Sequence, residues 1–307
     1  MTPAIELRDL TKVYGPVRAL DTVSLSVPRG SVYGFLGPNG AGKTTTLRIL
    51  NGLARPTSGT AYIFGHDVVT AMNEVRTVVG YLPDVPGFYP WMTGPELLRF
   101  AGRLFGLSGH TLDARVDALL DLAGLAGVTT RVGGYSRGMK GRLGVAQALI
   151  NAPSVLMLDE PTSALDPIGR KAVLDMIASL AGRTTVFFST HILSDVERVC
   201  DTVAVLHQGK LAAQAPIGEL KSRYGMQKIA VEVTGETDAL AQTLAAAPWV
   251  AAVERPSSER IVLGVTDVAT AQRAIPAAAA ERGLGIRRLE MVEMSLEDVF
   301  VDLVGSR

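Results

Sequence analysis

Tyr135-Ser136-Arg137-Gly138-Met139-Lys140 stands shortly before an apolar run that ends in two carboxylates, Ser154-Val155-Leu156-Met157-Leu158-Asp159-Glu160. The first tract reads as a Ser-x-Gly turn opening a helix, the second as a buried strand. Far upstream, Gly37-Pro38-Asn39-Gly40-Ala41-Gly42-Lys43-Thr44 has the spacing of a phosphate-binding loop. That loop alone says only that the chain binds a nucleotide. A second phosphate-contacting helix start, which the loop does not need for itself, points to a machine in which it serves another subunit's nucleotide.

The glycine loop lies between a strand over 31–36 and a helix over 44–53, with Leu47, Leu50 and Leu53 on one helix face. Its glycines let the backbone curl around phosphate oxygens with N–H groups inward, and the helix adds its positive N-terminus. The phosphate-binding set is Gly37, Pro38, Asn39, Gly40, Ala41, Gly42, Lys43, Thr44 and Thr45. Lys43 is expected to reach the β- and γ-phosphates of the nucleotide, Thr44 to ligate Mg²⁺, and Thr45 to meet a further phosphate oxygen.

Asp159 ends a strand whose carboxyl end faces the ligand side of a parallel sheet, so it is expected to hold Mg²⁺ through water. Strand alternation turns Glu160 the other way, where it would polarise the attacking water. His191 follows the strand Thr185-Val186-Phe187-Phe188-Ser189-Thr190 and is placed to hydrogen-bond the γ-phosphate. Asp166, followed by Pro167, suits a helix N-cap, and that role is compatible with one at the site. Tyr14 has two readings, a ring stacked on adenine or ordinary packing.

Among the 307 residues, 30 Lys+Arg balance 30 Asp+Glu, so no net field draws the chain to nucleic acid. One cysteine, Cys200, excludes an internal disulfide and a cysteine-built zinc site, and its place after a helical run suits burial. The N-terminus lacks the basic start and apolar core of a signal peptide. No apolar run is long enough to span a bilayer. The mean hydropathy of +0.25 fits either apolar surface covered by a partner or a composition rich in Ala, Val and Leu.

Short strands are expected over 4–36, mostly helices over 73–150, and alternating strands and helices from 154 onward, which imply a parallel sheet. The pattern changes near Leu220-Lys221-Ser222-Arg223-Tyr224-Gly225. Beyond it the order strand, helix, strand, strand, helix, strand is that of a split βαβ, ferredoxin-like unit, followed by a last helix. Pro276 should kink or shorten the helix that contains it. The expected domains are 1–222, with a helical subdomain at about 85–150, and 223–307.

In this order, the phosphate loop, Ser-x-Gly helix start, Asp-Glu strand, Ser163-Ala164-Leu165-Asp166 loop and histidine resemble the nucleotide-binding subunit of ABC transporters. The resemblance implies an α/β P-loop NTPase cassette with a parallel-sheet core, an antiparallel β subdomain and a helical subdomain. It also implies that cassettes pair head to tail, as a homodimer or with a second cassette. Ser136 and Gly138 would then contact the γ-phosphate bound across the dimer, and Asp166 would sit at the seam. Tyr14 matches the adenine-stacking aromatic.

Two departures narrow the branch. The family's usual L-S-G-G-Q is here Tyr135-Ser136-Arg137-Gly138-Met139, and Asp84 stands where the family has Gln. Asp84 is shorter and charged, which puts direct contact with Mg²⁺ or water in doubt and leaves coupling to the partner. Both departures, with the closing Ser295-Leu296-Glu297-Asp298-Val299-Phe300, resemble the drug- and lipid-exporter (ABC-2) branch. Members of that branch pair with a separate membrane permease, which would hold this chain at the cytoplasmic face of the membrane. Phe88-Tyr89-Pro90-Trp91-Met92 would border the permease's docking groove or else pack the helical subdomain. The resemblance leaves two rivals: a nucleotide-gated regulatory or immunity subunit of a membrane complex, and a soluble mechanical ATPase of the same superfamily. The second rival lacks its usual coiled coils, cysteine pairs or second cassette here.

Overall fold

Alternation of apolar and polar residues over 5–27 gives two antiparallel strands, β1 (Ile5–Tyr14) and β2 (Val17–Val27). The next strand, β3 (Val32–Leu36), is buried at every position and runs into the glycine loop and α1 (Lys43–Leu50). The helix stops at Leu50, so Leu53 lies beyond it and is exposed rather than on its apolar face. β4 (Ser58–Ile63) and the short β5 (His66–Asp67) complete a sheet of order β2-β1-β4-β5. This computed structural model describes residues 2–224, 227–292 and 296–305; Gly225 and Ser295, quoted above, lie outside the described residues.

The segment expected to be mostly helical contains α2 (Met72–Val78), a strand β6 (Val79–Leu82), then α3 (Gly94–Leu104), α4 (Gly109–Leu122) and α5 (Arg137–Ala148). Four residues are too few to show a period of two, and Gly80 breaks the β-branched pattern. That glycine is required by packing, since a Cβ on it would stand 1.9 Å from the Ala148 carbonyl oxygen. A capping box formed by Thr93 and Glu96 opens α3.

From 154 onward the chain alternates as expected: β7 (Val155–Asp159), α6 (Pro167–Ala178), β8 (Thr185–Thr190), α7 (Leu193–Val199) and β9 (Thr202–His207). β10 (Lys210–Pro216) is an edge strand. The central sheet has the order β10-β9-β3-β8-β7-β6, parallel throughout except for β10. The rings of Tyr33 and Phe35 lie 5.6 and 5.1 Å from that of Phe187, in a core shared with β1, β2, β4 and α1. Each such buried ring is worth about 1.5–3 kcal/mol. The carboxyl ends of β3, β7 and β8 carry the glycine loop, Asp159 and the residues before His191, so the sheet alone brings them together.

The chain divides into two compact units, Met1–Ile217 and Gly218–Arg307, with α8 (Ile217–Tyr224) starting at the division. The second unit contains β11 (Gln227–Val233), α9 (Asp238–Ala245), β12 (Val250–Ser257), β13 (Arg260–Val265), α10 (Val268–Ala280), β14 (Ile286–Val292) and α11 (Leu296–Gly305). Its sheet order is β12-β13-β11-β14 with every pair antiparallel, the split βαβ arrangement expected. Leu240, Leu244 and Ile275 of its helices pack on Ile229, Val231 and Leu263 of the sheet. α10 continues through Pro276 to Ala280, so the proline does not end it.

Candidate nucleotide-binding and hydrolysis site

The glycine loop reaches α1 through Gly42, whose φ of 109° is open only to glycine and whose Cβ would stand 2.5 Å from the Ala19 carbonyl oxygen. Asn39, Gly40, Ala41, Gly42, Lys43, Thr44 and Thr45 line a cavity of about 340 Å³ with Ala19, Asp84 and Glu160. The Lys43 side chain is 6% exposed and turns back under the loop. Its Nζ donates to the carbonyls of Gly37 at 2.6 Å and Pro38 at 3.2 Å. Those bonds hold one positive charge beneath a ring of backbone N–H groups, which suits an anion with several oxygens.

Asp159, 1% exposed, is held by Ser189, whose Oγ donates to Oδ1 at 2.6 Å. The Thr44 hydroxyl donates to the same oxygen at 3.2 Å. Burial, and then the nearby Asp159 charge, push the Tyr81 phenol up to about 12, so this β6 residue stays neutral.

Glu160 is not part of the strand. β7 ends at Asp159, and Glu160 has a φ of 50°, in the left-handed region. Its direction comes from this turn and not from strand alternation. The Glu160 amide donates to the carbonyl and the hydroxyl of Ser189, which fixes the turn. One carboxylate oxygen lies 3.2 Å from Lys43 Nζ, off the axis of a good hydrogen bond. The other lies 2.8 Å from His191 Nδ1. A cation, a carboxylate and an imidazole therefore form a chain at the edge of the phosphate cavity. The histidine's partner within the protein is Glu160.

Ser136 is the N-cap of α5, its Oγ accepting from the Met139 amide at 3.2 Å. Ser136 and Gly138 are absent from the lining of the phosphate cavity. Arg137 and Lys140 of the same helix instead line a second cavity of about 410 Å³, which shares Asp84 and Glu160 with the first. Asp166 caps α6, accepting from the Gly169 amide at 3.2 Å. Tyr14 ends β1, half exposed, outside the cavity lining and with Lys12 Nζ 4.6 Å from its ring centre. Tyr89 and Trp91 are exposed and tilt against each other, and the Tyr89 ring also meets Phe100 of α3 edge-on with 5.5 Å between ring centres, so Tyr89 packs on the surface of the helical subdomain while Trp91 stays open.

Sequence reasoning missed Ser189, Thr162, Asp195 and Arg170. A hydroxyl directly after the apolar run Val186-Phe187-Phe188 of β8 was the available signal for Ser189. For Asp195, fully buried in the first turn of α7, the sequence shows only an acidic residue four positions after His191.

The donor set is suited to Mg²⁺. Thr44 and Asp159 present converging hard oxygens, one on a buried carboxylate. Among the described residues no group of three or more His, Cys, Asp or Glu could hold a metal alone. A metal here would take its remaining oxygens from water and the nucleotide, as Mg²⁺ does at phosphate sites.

Residues 20–163 match the family described as ABC transporter, and residues 216–304 match the C-terminal domain described as DrrA1-3-like, of ATP-binding proteins. The chain is 40% identical over 301 residues to an uncharacterized ABC transporter ATP-binding protein, YxlF, of Bacillus subtilis, covering 98% of this chain and 99% of that one. It is 37% identical to the bacitracin transport ATP-binding protein BcrA of Bacillus licheniformis, covering 99% and 98%. It is also 37% identical to the daunorubicin/doxorubicin resistance ATP-binding protein DrrA of Streptomyces peucetius, covering 99% and 93%. Among solved structures it resembles an ATP-binding subunit of an ABC transporter, with TM-score 0.65 and 30% identity over 72% of this chain and 93% of that one. It also resembles the cassette MJ0796, solved as a dimer in a post-hydrolysis state bound to ADP and Pi, with TM-score 0.63 and 25% identity over 69% and 98%.

Proposed function

The chain belongs to the ABC transporter ATP-binding proteins, and from that membership we propose how its residues bind and split ATP and what the energy drives. It is an ATP-hydrolysing subunit that powers export through a separate membrane-spanning partner. The proposed substrate is an antibiotic-class compound, since two relatives of matching length are named for bacitracin transport and daunorubicin/doxorubicin resistance.

The observation that carries the hydrolytic assignment is the placement of Glu160 between Lys43 and His191 at the edge of the phosphate cavity. Water attacks the γ-phosphorus, its proton passes to Glu160, and the bond to the ADP oxygen breaks. Lys43 neutralises phosphate charge, and His191 orients Glu160 and then faces the γ-phosphate. Thr44 and Asp159 would hold Mg²⁺, which when bound offsets charge on the phosphate oxygens. Ser136 and Gly138, at the start of α5, would act on the nucleotide of a second cassette. Asp166 would lie at the seam between cassettes, Asp84 would relay the state of the site to the membrane partner, and Tyr14 would stack on adenine once Lys12 moves aside.

Among the described residues no helix is long and apolar enough to cross a membrane. The partner is proposed from the transporter relatives, and the cytoplasmic face of its membrane is the proposed location. A groove of about 340 Å³ lined by Met72, Val75, Tyr81, Leu104 and Phe105 suits an amphipathic helix of that partner. Leu104 and Phe105 are 72% and 50% exposed, an unusual cost for a surface left uncovered.

The test is transport in vesicles containing the membrane partner. ATP should drive uptake of such a compound into inside-out vesicles, and Glu160→Gln should abolish it. Uptake unaffected by Glu160→Gln would overturn the assignment. A complex that binds ATP and moves nothing would support a regulatory subunit instead.

A further inference from the structure

We propose that Asp195 is a positioning residue for hydrolysis, tying together the segments that carry Glu160, Asp166 and His191. It lies four residues after His191 and is 0% exposed. Its Oδ2 accepts from the hydroxyl of Thr162, two residues after Glu160, at 2.5 Å. Its Oδ1 accepts from Nε of Arg170, four residues after Asp166, at 2.5 Å. Arg170 also donates to Ser194 Oγ at 2.7 Å, doubling its hold on the first turn of α7. One buried carboxylate thus receives a bond from each of the two neighbouring segments and belongs to the third.

The intervening stretches are short and internally bonded. The Ser163 amide donates to the Glu160 carbonyl, the Leu165 amide to that of Thr162, and the Asp195 amide to that of Ile192. A shift of Asp195 therefore carries into the Glu160 turn and the His191 loop, which meet at 2.8 Å. A buried carboxylate costs desolvation that only full pairing offsets, so the arrangement holds one geometry strongly. Thr162 is itself 1% exposed, so water cannot replace its bond to Asp195.

This inference rests on the hydrolytic assignment of Glu160, so wild-type ATPase activity is measured first, and its absence would overturn that assignment and not this one. With activity present, Asp195→Asn and Thr162→Val in the full chain should each lower kcat by tenfold or more. The affinity for a fluorescent ATP analogue should change by less than twofold, because neither residue lines the phosphate cavity. Thr162→Ser keeps the hydroxyl and should restore kcat to within about threefold of wild type. The double variant Asp195→Asn/Thr162→Val should lose less than the product of the two single losses, since both act on one hydrogen-bonded cluster. If Asp195→Asn does not fold, the Thr162 pair decides alone. A kcat within twofold of wild type for Thr162→Val, or equal loss in Thr162→Val and Thr162→Ser, would overturn the proposal, as would a loss that merely follows weaker nucleotide binding.

Discussion

Gly138 and Gly169 meet backbone to backbone: a Cβ on either one would stand 3.2 Å from the other's Cα. The start of the Ser-x-Gly helix α5 thus leans on the first turn of α6, capped by Asp166. On Gly169 the added carbon would also stand 2.6 Å from Asp166 Oδ1. Gly169→Ala should therefore disturb the cap and cost about 1–2 kcal/mol, read as a lower midpoint in denaturant or heat. An unchanged midpoint would show that the two helices separate freely.

Glu160→Gln keeps the size of the side chain and removes the base. Turnover should fall by about 10²–10⁴ while nucleotide binding persists. Lys43→Ala should weaken ATP binding itself, since it deletes the buried cation under the loop. Hydrolysis by the Gln variant at the wild-type rate would mean that another group takes the proton.

Ser136 offers a way to separate capping from service to a second cassette. Ser136→Asp keeps an acceptor for the Met139 amide, so stability should hold within about 0.5 kcal/mol. Its negative charge opposes phosphate, so ATP-induced dimerisation, followed by gel filtration with the Glu160→Gln background, should fail. Ser136→Arg should fail likewise while still binding nucleotide as a monomer. Loss of monomer binding in either would place Ser136 in the site of its own chain.

Cys200 should be a poor nucleophile. Burial raises its thiol well above the ordinary value, and the Asp201 and Asp195 charges add to this. The thiol packs beside Gly34 of β3, where a Cβ would stand 3.0 Å from Sγ. A raised value means less thiolate at neutral pH, so labelling by a disulfide reagent should be at least about tenfold slower than for free cysteine. The rate should rise with pH and recover fully in denaturant. Fast labelling of the folded chain at neutral pH would contradict this environment.

The docking groove gives a fifth expectation. Phe105→Asp should leave ATP hydrolysis by the isolated chain within twofold and reduce co-purification with the membrane partner. Undiminished co-purification would move the docking surface elsewhere, with the exposed Tyr89 and Trp91 as the next place to test.

The glycine loop, the Asp-Glu strand and the ferredoxin-like order were legible because each depends on local pattern. Gly, Lys and Thr at fixed offsets, apolar runs and turn residues act over a few positions. β6 was not legible, because four residues with a glycine inside carry no period, and only β7 beside it makes them a strand. Exposure of Leu53 followed from where α1 stops, which Gly52 decides: its φ of 68° turns the chain, and the Gly52 and Leu53 amides donate to the Ile49 and Arg48 carbonyls. The cause of Glu160's direction, though not the direction itself, was misread for a related reason. Alternation holds within a strand, and the acceptors that end this one, the Ser189 carbonyl and hydroxyl that the Glu160 amide bonds to, belong to β8, 29 residues away. The Asp195 cluster joins three distant segments and leaves no periodic trace.

The φ of 50° at Glu160 has a consequence for how this sequence is kept. A left-handed residue without glycine or asparagine is held at a cost of about 1 kcal/mol or more. Folding by itself would therefore favour Gly or Asn at this position, and only chemistry asks for Glu. A library at residue 160 selected for stable expression alone should drift toward small or amide side chains, and one selected for hydrolysis should return to Glu. Inactive descendants of this chain would then arise along a path that stability encourages, so a silent cassette could outlast its activity without unfolding.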